Sequence, residues 1–231
     1  MKNILIGLIL ISLFSCVQRP IYDVSILDVK RIDMETGLID NVSIYINQDR
    51  IALIQNAHSK GFEAKETIDA KGAFALPGLW DNHIHFRGGV SLLKDNEMFL
   101  EQFINNGITS VRDAGGDLTP FIKIWQTEIS KNERVGPTIF TSGPKIDGKN
   151  PTWQGSLEVE SEAELDQALD SLEKLKVDFV KLYDSKLNGN LFLSALKKSK
   201  TRGLIASGHM PFSVTLNQAL DAGMNGVEHL Y

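Results

Sequence analysis

Two of the five histidines in this chain stand one residue apart, His83 and His85, in the stretch Asp81-Asn-His-Ile-His-Phe86. On a helix, positions i and i+2 point away from each other, whereas on a strand they share a face. Two imidazoles leaning toward one point off the end of a strand can grip a single cation. Histidine pairs also arise by chance, so the spacing alone leaves the matter open. Of the others, His58 falls in a polar stretch and reads as a surface histidine, while His209 lies in Ser-Gly-His-Met and His229 in Gly-Val-Glu-His-Leu.

The elements that would position these residues follow from periodicity. Residues 22–75 read as β structure. Val42, Ile44 and Ile46 alternate with Ser43, Tyr45 and Asn47, a polar Gln-Asp-Arg turn leads into Ile51–Ile54, and Pro77-Gly78 breaks the pattern. A small antiparallel sheet or half-sandwich is expected over residues 21–75. From residue 76 the rhythm changes to strands separated by helices. Strand candidates are Leu79–His83, the run after Gly107, Pro137–Gly143, Asp178–Asp184, Leu204–Met210 and the run after Asn225. Between them, Ser91–Asn106 carries Leu100, Phe103 and Ile104 at helical spacing, and the next helix carries Phe121, Ile124 and Trp125. Residues 144–156 read as a long loop. After it, Ser161 and Glu164 have the spacing of a capping box ahead of the apolar stripe Leu165, Ala168, Leu169 and Leu172.

Strands alternating with helices imply βαβ units, a parallel sheet and right-handed crossovers. The expected class is α/β, a partial (β/α)8 barrel of six βα units over residues 76–231. In such folds chemistry gathers at the carboxyl ends of the strands. His83 and His85 end the first strand, His209 the fifth and His229 the sixth. Four of five histidines at that one end point to a metal site.

These segments carry a family resemblance. Leu76–Phe86 ("LPGLWDNHIHF"), "VKLYD", "SGHM" and "GVEHL" resemble the first, fourth, fifth and sixth strand signatures of the amidohydrolase superfamily. More narrowly they are similar to its imidazolonepropionase-like branch, which includes metal-dependent dipeptidases acting on Xaa-Pro or related peptides. The likeness spans about residues 21–231, and residues 21–75 resemble the branch's small composite β domain. It implies a distorted barrel with one or two divalent ions, usually zinc, His83 and His85 binding the more buried ion and His209 and His229 the more exposed one. Lys181 matches the position at which a lysine is carboxylated by CO2 and bridges both. An ammonium beside two cations would be repelled, whereas a carbamate is a bidentate anion; a lysine reaching solvent or pairing with Asp184 is the bland alternative. Tyr183, on the same strand face, could polarise a substrate carbonyl or simply pack at the barrel rim. Arg87 could meet a substrate carboxylate or lie on a surface loop. Arg112 and Asp113 read as a salt-bridged rim.

The reaction so implied is hydrolysis of a C–N bond in a small-molecule or short-peptide substrate by metal-activated water. The family's proton acceptor is an aspartate ending strand eight. Nothing after Tyr231 supplies it, so the general base is unassigned, and Glu228 is expected to face away from His229. Six βα units would leave two sheet edges open, and the 231-residue chain is expected to be aggregation-prone and inactive by itself. Two other readings stand beside the dipeptidase-like one. A deaminase or cyclic-amide hydrolase of the same superfamily would be favoured by an unmodified Lys181 and a single ion. A lipid-anchored protein could also keep the ligands without turnover.

The anchor is read from the start of the chain. Met-Lys-Asn precedes an uncharged run from Ile4 to Phe14, too short to span a bilayer, which takes about 20 residues. A basic start, an apolar middle and a small-residue stop describe a signal peptide over residues 1–15. Cys16, the single cysteine, follows Leu-Phe-Ser as in a bacterial lipobox, with residues 16–20 as a lipidated linker. An ordinary signal peptide with a chance cysteine is the alternative. The expected location is the bacterial cell envelope, lipid-anchored to a membrane and facing periplasm or exterior. A formal net charge of −5, with no basic cluster, argues against nucleic acid as a partner; self-association is left open. In a bacterial host the wild-type chain is expected in the membrane fraction with a lipid mass shift. Cys16→Ala is expected to lose both, and equal partitioning of the two would refute the lipobox.

Overall fold

The computed structural model describes residues 20–229; Cys16 and the leader lie outside them. Among the described residues no helix is long and apolar enough to cross a membrane. The chain divides into two compact units at Pro77/Gly78.

The first unit is one sheet of five strands, β1 (Tyr22–Ile32), β2 (Ile39–Asn47), β3 (Arg50–Asn56), β4 (Ala64–Asp69) and β5 (Phe74–Ala75). The order is β3-β2-β1-β4, with β5 also on β1. The β1/β2 and β2/β3 pairs are antiparallel, as expected, but β4 and β5 run parallel to β1, so the sheet is mixed. The polar stretch after β3 carries the chain back across the sheet before it pairs, which is what a parallel neighbour requires. Both faces of β2 are covered. Val42 and Ile44 pack with Val29 on one side, and Tyr45, fully buried, meets the rings of Tyr22 and Phe62 at 4.9 and 5.6 Å on the other. His58 is exposed, as a surface histidine should be.

The second unit contains every expected strand and helix. In chain order they are β6 (Leu79–Ile84), a 3-10 turn (Val90–Leu92), α1 (Leu93–Asn105), β7 (Ile108–Asp113), α2 (Thr119–Ser130), β8 (Thr138–Thr141), β9 (Ile146–Asp147), β10 (Leu157–Glu158), α3 (Glu162–Lys174), β11 (Val180–Leu182), α4 (Gly189–Thr201), β12 (Ala206–Gly208), α5 (Leu216–Ala222) and β13 (Gly226–Val227). All pairings are parallel, in two ladders, β6-β7-β8 and β10-β9-β11-β12-β13. Of the two short strands, β9 lies in the segment read as a loop and β10 follows directly after it. At two residues each they are too short to show any period. Between the ladders, the Asp178 N–H donates to the Thr141 carbonyl (2.9 Å), and the Asp178 carboxylate accepts from the Thr141 N–H (2.8 Å). The architecture is a partial (β/α)8 barrel.

Helix α3 begins as its sequence dictates. Ser161 and Glu164 form the reciprocal capping box, and Leu165, Ala168, Leu169 and Leu172 are buried against α4 and β11. Helix α2 departs from expectation in phase. Ile122 and Trp125 are buried, whereas Ile124 is 51 % exposed. The inward stripe is Leu118, Ile122 and Trp125, at spacings of four and three, which leaves Ile124 on the outer flank.

One buried carboxylate ties the first ladder together. Asp113, at the end of β7, accepts from the Phe86 N–H beyond β6 (3.1 Å) and from the Thr141 hydroxyl on β8 (2.6 Å). Burial raises its pKa from 3.8 to about 6, against the opposing effect of those donors. Between these two values the folded chain holds a proton that the unfolded chain has released, so this group's contribution to stability falls as pH rises from 3.8 to about 6. In urea denaturation followed across that window, Asp113→Asn is expected to remove this component of the pH slope. Asp113→Ala, which strands the Phe86 N–H, is expected to cost about 1–3 kcal/mol.

Candidate functional site

Of the chemical groups singled out at the strand ends of the second unit, His83, His85, Lys181, Tyr183, His209 and His229 come to the same place; Arg87 lies to one side, and Asp113, rather than forming a salt-bridged rim, is the buried tie of the first ladder. His83 and His85 do share a face of β6 and its continuation, with their Nε2 atoms 3.2 Å apart. The His85 Nδ1 lies 2.7 Å from the Gly115 carbonyl, which can only accept, so that nitrogen carries the proton. The His83 Nδ1 lies 2.7 Å from Glu228 Oε2. Burial by itself would raise the Glu228 pKa, but the His83 hydrogen bond, the Lys181 charge, and the Ser207 and Arg112 donors together hold it well below the usual carboxylate range. The carboxylate is therefore the acceptor and His83 Nδ1 the donor. Burial also lowers the His85 pKa to about 4, so its ring is neutral near pH 7.

With both Nδ1 atoms committed as donors, neutral rings turn two Nε2 lone pairs toward each other. That arrangement is repulsive unless a proton or a cation sits between them. Two nitrogens on one tetrahedral zinc, each about 2.0–2.1 Å from it, stand about 3.3 Å apart. Metal-ligating histidines characteristically donate their other ring N–H to a carboxylate or a backbone carbonyl. His83 and His85 do one each, so the donor set fits a divalent cation. Among the described residues, however, no three His, Cys, Asp or Glu side chains converge on one ion as they stand.

Lys181 lies beside the same carboxylate that holds His83. It is fully buried in β11, opposite Ser207 of β12, and among the described residues its Nζ has no hydrogen-bond partner; Glu228 Oε1 lies 3.6 Å away. Burial lowers its pKa to about 8. A buried ammonium without hydrogen bonds is costly, which is the physical reason to look for a modification or a bound group at this atom.

His229 and His209 complete the cluster. The His229 ring lies 4.5 Å from that of His83 and 5.2 Å from that of His209. His209 packs on the Tyr183 ring at 4.5 Å, with its Nδ1 3.9 Å from Asp184 Oδ1, and burial lowers its pKa to about 4. Arg87 sits on the exposed loop after β6, its guanidinium stacked 4.5 Å over Trp153.

Two readings of the sequence are corrected here. Glu228 does not face away from the site but stands at its centre, because β13 ends at Val227 and His229 adopts a left-handed backbone (φ 59°), so strand alternation has stopped by Glu228. Arg112 is not a rim residue. It pairs with Glu228 Oε1 at 2.8 Å, donates to Ser207 Oγ and lies 3.8 Å over the Phe179 ring. The missed signal was charge: Arg112 and Lys181 on interior strands require an anion, and Glu228 is the acid at the end of the sixth strand.

Removing that anion leaves two cations facing each other in the interior. Glu228→Ala is expected to destabilise the fold by about 3–5 kcal/mol. Glu228→Gln, which still accepts from His83, is expected to cost less. Urea denaturation of the two variants beside wild type checks the order.

The comparisons with known proteins can be set against this geometry. No family model matches the chain. An adenine deaminase of Thermosipho africanus is 38 % identical over 89 residues, which is 38 % of this chain and 14 % of that protein. A Xaa-Pro dipeptidase with methionine bound in its active site superposes with a TM-score of 0.73 at 20 % identity, over 89 % of this chain and 61 % of the other. A prolidase complexed with N-methylphosphonate-L-proline superposes equally well, at 0.73 and 16 % identity, over 89 % and 60 %. The chain thus spans about one seventh of the deaminase and three fifths of the two solved structures. At these identities the two solved structures show a shared fold, and the partial barrel of this chain is the part of it that the described residues build.

Proposed function

We propose that this chain contributes the metal-binding part of an amidohydrolase-type active site that hydrolyses C–N bonds, with dipeptide-like substrates. The observation that carries the reading is the His83–His85 pair, two Nε2 atoms 3.2 Å apart with both Nδ1 atoms held as donors by Glu228 and Gly115. His83 and His85 would hold the more buried ion, His209 and His229 a second, and Lys181, as its carbamate, would join them. Zinc is the ion proposed. A divalent cation supplies Lewis-acid activation of water and of the scissile carbonyl.

The protein's own part is orientation and electrostatics. Glu228 fixes the His83 tautomer and, by accepting its Nδ1 proton, raises the basicity of Nε2. The Gly115 carbonyl does the same for His85. Carboxylation of Lys181 exchanges an ammonium without hydrogen bonds for an anion beside four imidazoles. Tyr183, packed on His209, is the group proposed to meet the substrate carbonyl, and Arg87 its carboxylate. The likeness to an adenine deaminase favours a second reading, hydrolytic deamination of a purine, which makes the same demand on the histidines. In either reading the leader and Cys16, outside the described residues, are proposed to anchor the protein by lipid to the cell envelope.

Elemental analysis of purified protein is expected to find zinc or another divalent ion in wild type and background levels in the His83→Ala/His85→Ala double variant. Metal content is also expected to rise when bicarbonate is present during reconstitution, and Lys181→Ala is expected to abolish that rise. Equal metal in wild type and double variant would refute the site. With a C-terminal segment supplied in cis or as a second chain to complete the barrel, amino-acid release from a dipeptide panel against ammonia release from adenine separates the two substrate readings.

A further inference from the structure

A groove of about 460 Å3 is lined by Arg87, Leu92, Asp117, Lys145 and Trp153 among others. Lys145 has no part in the chemistry described so far. Only 4 % of the residue is exposed, yet among the described residues its amine has no hydrogen bond and no carboxylate within ion-pair distance. It lies instead against two rings, 5.2 Å from the centre of Trp153 and 5.6 Å from that of Tyr183. Arg87 stacks on Trp153 as well, at 4.5 Å, so one indole is shared by two basic side chains. The Lys145 stem is held against Gly115, where a Cβ would come within 2.5 Å of Lys145 Cγ.

These surroundings drive the amine toward its neutral form. Burial lowers the Lys145 pKa and the Arg87 charge lowers it further, against the opposing pull of Asp113, Asp147 and Asp117. All three carboxylates are engaged elsewhere. Asp113 accepts from the Phe86 N–H and the Thr141 hydroxyl, and Asp117 from the Gly88 and Gly89 N–H groups. Asp147 accepts from the N–H groups of Gly148, Lys186 and Leu187 and from the Ser185 hydroxyl. Lys181 and His85 are also within electrostatic reach, and the Lys145 charge disfavours the cationic form of each. Desolvation beside a second cation is the combination that makes a lysine nucleophilic, because only the neutral amine has a lone pair to offer. Lys181 shares the lack of hydrogen bonds, but its Nζ is sealed in the interior, whereas Lys145 lines an open groove.

We propose that Lys145, desolvated beside Arg87, is a carbonyl-capturing amine, a covalent modification site at which small aldehydes entering the groove condense to an imine. The inference does not rest on the hydrolase reading. The Nζ lone pair forms a bond to the aldehyde carbon, the carbonyl π pair moves to oxygen, and a proton passes from nitrogen to that oxygen, giving a carbinolamine. Its C–O bond then breaks, the remaining N–H proton leaves with the oxygen as one water, and a C=N bond is left. Hydrolysis reverses the sequence, so no oxidant or reductant is required. An aldehyde suits the site better than a ketone, since a nearly buried amine has room for one carbon substituent more readily than for two. Leu92 and the Trp153 ring offer apolar surface to that substituent.

The test is reductive trapping on the purified full chain, with a C-terminal segment supplied to complete the barrel. Butyraldehyde and cyanoborohydride are added, and peptide mass spectrometry follows the butyl increment at each lysine with time. Cyanoborohydride delivers hydride to the imine carbon and fixes the adduct as a secondary amine. Near neutral pH, Lys145 is expected to be labelled at least tenfold faster than the exposed Lys94 and Lys131. That advantage is expected to shrink near pH ~10, where ordinary lysines also lose their proton. Arg87→Met removes the neighbouring charge and is expected to lower the neutral-to-alkaline rate ratio at Lys145 at least threefold, a readout that altered access alone would leave unmoved. Thermal melts identify a variant that has lost its fold, and Arg87→Gln serves if the Met form fails. Labelling of Lys145 no faster than Lys94 near neutral pH would overturn the proposal, as would preferential labelling of Lys181. An unchanged rate ratio in the folded Arg87 variant would overturn the part assigned to Arg87.

Discussion

The charge of one carboxylate holds the interior of the second unit in balance. Glu228 meets Arg112 at 2.8 Å, the Ser207 hydroxyl at 2.8 Å, His83 Nδ1 at 2.7 Å and Lys181 Nζ at 3.6 Å. Those partners come from β7, β12, β6 and β11, so strands distant in sequence are drawn toward one anion. A buried ion network of this kind adds little net stability over an apolar core, because desolvation consumes much of the Coulombic gain. What it supplies is placement. The orientation of His83, and through it the shape of the histidine cluster, follows from where the Glu228 carboxylate sits.

Two further carboxylates do for the loops what Glu228 does for the interior. Asp113 ties Phe86, just past the histidine pair, to Thr141 on β8. Asp147, on the short strand β9, gathers three backbone N–H groups from two loops. The ladders themselves are only two to six residues long in this unit, too short to set loop positions to a fraction of an ångström. Buried side-chain acceptors at the strand ends supply that definition, and the irregular segments carrying the chemistry are held as firmly as the sheet.

Much of this was legible beforehand. The alternation of helix and strand patterns gave the parallel class, and Ser161, Glu164 and the Leu165–Leu172 stripe gave α3 because a capping box and a 3.6-residue period are local properties. The convergence of His83, His85, His209, His229 and Lys181 was readable because strand ends in such folds share one side. Glu228 and Arg112 were not, and for one reason. Period-two alternation assigns faces only while the strand continues, and β13 stops after two residues. The phase of α2 was missed because its apolar residues include Ile124, which periodicity admits to the edge of the stripe and packing leaves outside.

Gly115 has a role on each of its sides. Its carbonyl orients His85, its missing side chain makes room for Lys145, and its backbone holds a φ of 94° that other residues rarely adopt. The two neighbours are thereby coupled through a residue that carries no chemistry of its own. Substituting it would disturb the ligand geometry and the cation together, whereas changes at Lys145 alone leave the carbonyl in place.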